Sequence, residues 1–209
     1  MPYLFSRVTT VAPGRMRSAQ GFIADVTAHV NENTPFDVSV WGFLFGQPVG
    51  TVGWSMMIDD LALYLDASAE LNASTAYMDK VNSAGDVFAG PAEDMLREVI
   101  HTAGEPPETF DYVGSTIAVI DEDYSKALGW SVEMADLAAS VTGRATMLLR
   151  NVYGPFGGVQ WLSGYADSAQ VAAANAAIRD SSEYLERLDA AEDLFVSGSG
   201  LQGLLRRML

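Results

Sequence analysis

The 209 residues include 12 basic and 27 acidic side chains, for a formal net charge of -15, with 49% hydrophobic and only 19% charged residues. That composition supplies a packed core and excludes disorder on the scale of a domain, and its acidity argues against phosphate backbones and anionic lipid as partners. The chain has no cysteine, which excludes disulfides, thiolate metal sites and a cysteine nucleophile.

Tyr3 to Val11 is rich in β-branched and aromatic residues and reads as a strand ended by Pro13-Gly14. From Arg15 to about Val30, Met16, Ala19, Phe22, Ile23, Val26 and Val30 recur at helical spacing. Asp37 to Phe45 and Thr51 to Ile58 read as a hairpin across Gly46-Gln47-Pro48-Val49-Gly50. Asp59-Asp60 can cap a helix from about Leu61 to Ser83, with a break near Asn72-Ala73-Ser74. Asp86 to Ala89 is expected to be a short strand, followed by a brief helix through Met95, Leu96 and Val99. His101 to Glu108, with Gly104 and Pro106-Pro107, reads as a linker.

The second half repeats the order. Phe110 to Ile120 is a strand, Asp123 to Thr142 a helix, and Ala145 to Tyr153 with Gly158 to Ala166 a hairpin. Ala169 to about Ala191 is a helix, Leu194 to Ser197 a short strand, and Leu201 to Leu209 a helical tail with an apolar stripe. Gly50, Val52, Trp54, Asp60, Tyr77, Asp86 and Phe88 recur 107 positions later as Gly157, Val159, Trp161, Asp167, Tyr184, Asp193 and Phe195. Each half is thus β-α-β-β-α-β, giving repeats at 1–101 and 110–209 joined by 102–109.

Two such units in one chain resemble the dimeric α+β barrel superfamily in its tandem-fused form. The resemblance implies an α+β fold of two ferredoxin-like repeats whose antiparallel sheets pack as an intrachain barrel. It also implies a range of chemistry, including cofactor-free oxygenation of aromatic polyketides, lactone isomerisation, polyketide cyclisation and haem-dependent reactions. Fused haem members take a histidine from the C-terminal half, and no histidine follows His101. No cofactor is therefore expected.

His29 has the side chain best suited to proton transfer at neutral pH. Asp25, four residues earlier on the same helix face, could orient it; a surface Asp–His pair near a helix C-terminus is the simpler reading. Trp41, Trp54, Tyr153, Phe156 and Trp161 could wall a cavity for a flat apolar ligand. Retention of Trp54 and Trp161 in both halves is more readily explained by packing than by a single active site. Phe43 and Leu44 of the first hairpin become Arg150 and Asn151 in the second, so a polar pair enters an apolar hairpin and needs hydrogen-bonding partners if it points inward.

Asp59-Asp60 and Asp121-Glu122-Asp123 are explained by capping, and no metal site is expected. No stretch approaches the ~20 apolar residues of a membrane span, and the N-terminus lacks a secretory pattern. The expected location is the cytoplasm. Two functions remain open: a small-molecule protein acting as a cofactor-independent monooxygenase or isomerase on an aromatic or polyketide-like compound, and a non-catalytic scaffold that forms a homo-oligomer.

Overall fold

The computed structural model describes residues 2–191 and 193–209. In chain order the elements are β1 (Tyr3–Thr10), α1 (Met16–Asn33), β2 (Ser39–Phe45), β3 (Thr51–Ile58), α2 (Leu61–Ala73), α3 (Thr75–Asn82) and β4 (Glu93–Ala103). They continue with β5 (Tyr112–Val119), α4 (Tyr124–Thr142), β6 (Thr146–Tyr153), β7 (Gly158–Tyr165), α5 (Ser168–Asp180), α6 (Ser182–Asp189) and β8 (Leu201–Arg207). The protein is thus a mixed α+β fold whose strands form a closed antiparallel barrel in the order β1-β3-β2-β8-β5-β7-β6-β4. The chain divides into two compact units, one of Met1–Phe43, Gln47–Leu96 and Arg207–Leu209, the other of Leu44–Gly46 and Arg97–Arg206.

In the first unit β3 lies between β1 and β2, with Arg7 opposite Trp54, Phe5 opposite Met56 and Trp41 opposite Gly53. Alternation places Val52, Trp54, Met56 and Ile58 on one face of β3. Val52 packs with Ala19 and Ile23 of α1 and Val40 of β2, whereas Ile58 joins Phe5 and Leu96 in a second cluster. Asp60 caps α2 as its sequence predicts, its carboxylate accepting from the Ala62 and Leu63 amides. The expected break after residue 72 is Ser74, an extended residue whose hydroxyl accepts from the Tyr77 amide and starts α3. The backbone of Val40 also exchanges bonds with Met208 and Leu209.

In the second unit β7 lies between β5 and β6, with Thr116 and Leu148 both opposite Trp161. Asp123 caps α4, accepting from the Lys126 amide, and Asp167 caps α5, accepting from the Gln170 amide. Ala118, Ala127, Ala135, Leu148 and Val159 are buried together. Gly46, in the left-handed region at φ 86°, passes so close to Gln202 that an added Cβ would collide with its carbonyl oxygen.

Four expectations are corrected. The segment expected as a helix through Met95, Leu96 and Val99 is strand β4, and its residues 96–99 are all buried. A strand covered on both faces loses the polar alternation that identifies strands, leaving spacings that suit a helix equally well. The tail expected to be helical is strand β8, which pairs with β5 from Leu201 opposite Ile117 to Arg206 opposite Tyr112. Tertiary pairing outweighs the weak helical preference of a stretch containing Gly203. The short strands expected at 86–89 and 194–197 reduce to single bridges, Val11 to Phe88 and Ile120 to Phe195. The one helix expected from 169 to 191 is interrupted at Ser181, whose hydroxyl starts α6.

Candidate functional site

Alternation along β1 puts Phe5, Arg7 and Thr9 on the face shared with Trp54 and Met56 of β3. These residues and the inner sides of α1, α2 and α3 line an open cavity of about 360 Å³ in the first unit, within the ~300–1,000 Å³ typical of small-molecule sites. Its walls are mostly apolar, with Phe22, Val26 and Val30 from α1, Leu71 and Val81 from α2 and α3, and Phe36 and Phe88 from loops. Trp54 is held by a bond from its indole N–H to Thr27 Oγ1 (3.0 Å) and by an edge contact with Phe88 (6.2 Å).

The polar groups are few and specific. Arg7 donates from Nε and Nη2 to the two carboxylate oxygens of Asp94, at 2.7 and 2.6 Å. That bidentate bond, with help from the Tyr77 hydroxyl, holds the guanidinium above its ordinary range despite the opposing effect of burial. Tyr77 and Tyr64 also face the cavity. Tyr64 packs on Phe5 at 5.5 Å and Phe36 at 5.7 Å, and burial pushes its phenol above the ordinary value while Ser68 pulls the other way. The hydroxyl is therefore a neutral donor at physiological pH.

A folded-state phenol with a raised pKa contributes stability that is complete below pH ~10 and is lost as the pH rises through the folded value. In an alkaline absorbance titration, subtracting Tyr64→Phe from wild type should leave a phenolate curve centred above 10. A difference curve centred at or below 10 would mean that Tyr64 is solvated.

Of the residues singled out in the sequence, Trp54 is a wall of this cavity. His29, half-buried on α1, stacks on Tyr77 at 6.1 Å. The Asp25 carboxylate is engaged by Lys80 at 2.6 Å, so the structure does not couple Asp25 to His29. Trp41 is buried in β2, donates to Ser55 Oγ at 2.8 Å and lies beneath the Arg207 guanidinium at 4.7 Å. His101 belongs to β4, where its Nε2 meets Asp136 at 2.7 Å.

The other candidates belong to the second unit. Trp161 donates to the Ser131 carbonyl (3.0 Å) and meets Trp130 and Phe195 edge-on at 6.2 and 6.1 Å. Trp130 in turn donates to the Arg187 carbonyl at 3.2 Å. Arg150 finds its acceptor in Glu98, at 2.7 Å from Nε and 2.6 Å from Nη2, and Glu98 holds the guanidinium above its ordinary range. Asn151 donates to the Pro155 carbonyl at 2.8 Å, bridging the hairpin turn. Tyr153 and Phe156 are exposed at that turn.

Arg7, Asp94, Tyr64 and Tyr77 were not anticipated. The available signal was Arg7 itself, a charge at an inward position of an apolar strand. The register shows Arg7 opposite Trp54 where Thr116 lies opposite Trp161. This correspondence is two residues off the 107-residue offset of the tryptophans, so simple alignment of the halves conceals it. Among the described residues there is no cluster of three or more His, Asp or Glu side chains able to hold a metal ion, and no helix is long and apolar enough to cross a membrane.

The strands close into an eight-stranded antiparallel barrel, and the first unit holds a cavity of small-molecule size. No protein-family model and no curated protein matches the chain. Solved structures do. One is a candidate monooxygenase from Fusobacterium nucleatum, with a TM-score of 0.72 at 11% identity over 100% of this chain and 93% of that one. Another is an anthrone oxidase-like protein, with a TM-score of 0.69 at 15% identity over 100% and 91%. A third is a major regulator of staphylococcal pathogenesis, with a TM-score of 0.59 at 15% identity over 99% of both chains. Identities this low establish the fold, and the unlike roles of these proteins leave the chemistry to the site.

Proposed function

We propose that the cavity of the first unit is a small-molecule site, and that the protein is a cofactor-independent monooxygenase or isomerase acting on an aromatic or polyketide-like compound. The observation that carries this reading is the cavity itself, about 360 Å³ of mainly apolar and aromatic wall with a fixed Arg7–Asp94 pair and two tyrosines. Flat hydrophobic substrates gain from such walls. The fold shared with monooxygenase-like and anthrone oxidase-like proteins supports the same direction. This reading also takes 1–101 and 110–209 as tandem copies joined by 102–109, with the site in the first.

Dioxygen uptake with a panel of hydroxylated polycyclic aromatics, in metal-free buffer without added cofactor, tests the activity. Gly90 lines the cavity, and a Cβ there meets no atom within 4 Å, so Gly90→Phe should fold normally and abolish both binding and turnover. Undiminished turnover in Gly90→Phe would place the chemistry elsewhere.

A separate observation favours assembly as a second reading. Phe156 is 95% exposed on the β6–β7 turn beside exposed Tyr153, an arrangement suited to burial against another copy. A change of molar mass in Phe156→Ser would support it.

A further inference from the structure

We propose that the Arg7–Asp94 pair is the recognition head of the cavity and selects uncharged ligands that carry a hydrogen-bond donor beside an acceptor. Primary amides, hydroxy-carbonyl compounds and the enol forms of 1,3-diketones have this edge. The inference rests on the reading of the cavity as a small-molecule site.

Three observations lead to it. First, the pair is both fixed and accessible. The bidentate bond orients the guanidinium fork, while the two side chains remain 42% and 46% exposed and both line the cavity. Of roughly five guanidinium N–H groups and four carboxylate acceptor positions, the pair consumes two of each. The Tyr77 hydroxyl engages Arg7 as well, so about two donors and two acceptor positions are left beside one another. Second, Arg7 lies directly opposite Trp54 across the β1–β3 ladder, a separation of about 4.5–5.5 Å between Cβ atoms. A flat ligand resting on the Trp54 wall therefore presents its edge to the pair.

Third, the charges decide which edge fits. A carboxylate ligand attracted by Arg7 also meets the Asp94 charge, in a chain of net charge -15. An ammonium ligand meets Arg7 in the same way. A neutral donor–acceptor edge satisfies both partners, its N–H or O–H donating to Asp94 and its carbonyl accepting from Arg7, without burying a new charge.

Calorimetric titration of the full chain at neutral pH with naphthalene, naphthamide and naphthoate tests this. These probes share one ring system and differ in the head. Wild type should bind naphthamide about tenfold more tightly than naphthalene or naphthoate, as one charge-assisted hydrogen-bonding edge provides. Asp94→Asn leaves the Arg7 charge uncompensated and should invert the order, with naphthoate binding more tightly than naphthamide. Arg7→Lys keeps the charge but loses the fork, so the advantage of naphthamide should fall to within about threefold of naphthalene while naphthalene binds as before. Equal binding of naphthalene and naphthamide by wild type overturns the recognition head and leaves the cavity reading standing, as does an unchanged order in Asp94→Asn. Failure of all three probes to bind overturns both.

Discussion

Trp161→Ala should lower the unfolding free energy by about 3 kcal/mol, the lower end of the range for removal of a packed aromatic, whereas Trp54→Ala should cost about half as much and weaken ligand binding. The two tryptophans occupy corresponding strand positions in different surroundings. Trp161 is enclosed by Trp130 and Phe195 at edge-on geometry, and its indole N–H is bonded to the Ser131 carbonyl. Truncation there forfeits two aromatic contacts, the hydrogen bond and the area of the ring. Trp54 keeps Phe88 and Thr27 as partners but turns another part of its surface to the cavity, so less packing is lost. Denaturant unfolding of both variants, with calorimetry on a ligand found for the wild type, checks the contrast. Equal stability losses would remove the contrast, and loss of binding in Trp161→Ala alone would show that the wall assignment is inverted.

Part of the element order was legible because that part is local. The spacing of Ala19, Ile23 and Val26 specifies α1, and those residues are buried. Asp60 and Asp123 announce their helices through side-chain acceptors placed just before them. The segments that become β4 and β8 carry no comparable signal. In Glu93–Ala103, residues 96–99 are buried irrespective of type, Arg97 and Glu98 included. Burial pulls Arg97 down to about 10, an environment that no hydropathy pattern would assign to an arginine. Leu201–Arg207 takes its conformation from the edge of β5, which is distant in sequence.

The site was harder to foresee than the fold for the same reason. Its aromatic wall was visible, since Trp54 is inward on a strand whichever partner it meets. The Arg7–Asp94 pair was not, because the two residues are 87 positions apart and Asp94 lies in the segment whose conformation the pattern mistakes. A lone arginine in an apolar strand is also ordinary on an exposed edge. The two polar residues singled out by comparing the hairpins are engaged within the structure, Arg150 with Glu98 and Asn151 with its own turn. The more telling difference, Arg7 against Thr116, emerges only once the ladder register fixes which residues oppose the tryptophans.

Arg150→Met should destabilise the protein by about 2 kcal/mol at neutral pH, and adding Glu98→Gln should restore most of that loss. Glu98 is a carboxylate with 10% of its side chain exposed on β4, and Arg150 reaches it with two nitrogens from β6. Removing the guanidinium leaves a largely desolvated charge with its principal partner gone, which costs ~3–5 kcal/mol for a fully buried pair. The cost is smaller here because 41% of the Arg150 side chain is exposed and water can enter the vacated space. The second substitution replaces the stranded charge by a neutral amide, so the double variant should be closer to wild type than Arg150→Met is. This non-additivity distinguishes a structural ion pair from a group that polarises substrate. An Arg150→Met variant of unchanged stability that had lost turnover would instead assign Arg150 to the chemistry. Unfolding curves for the two single variants and the double variant, measured with the activity of each, separate these outcomes.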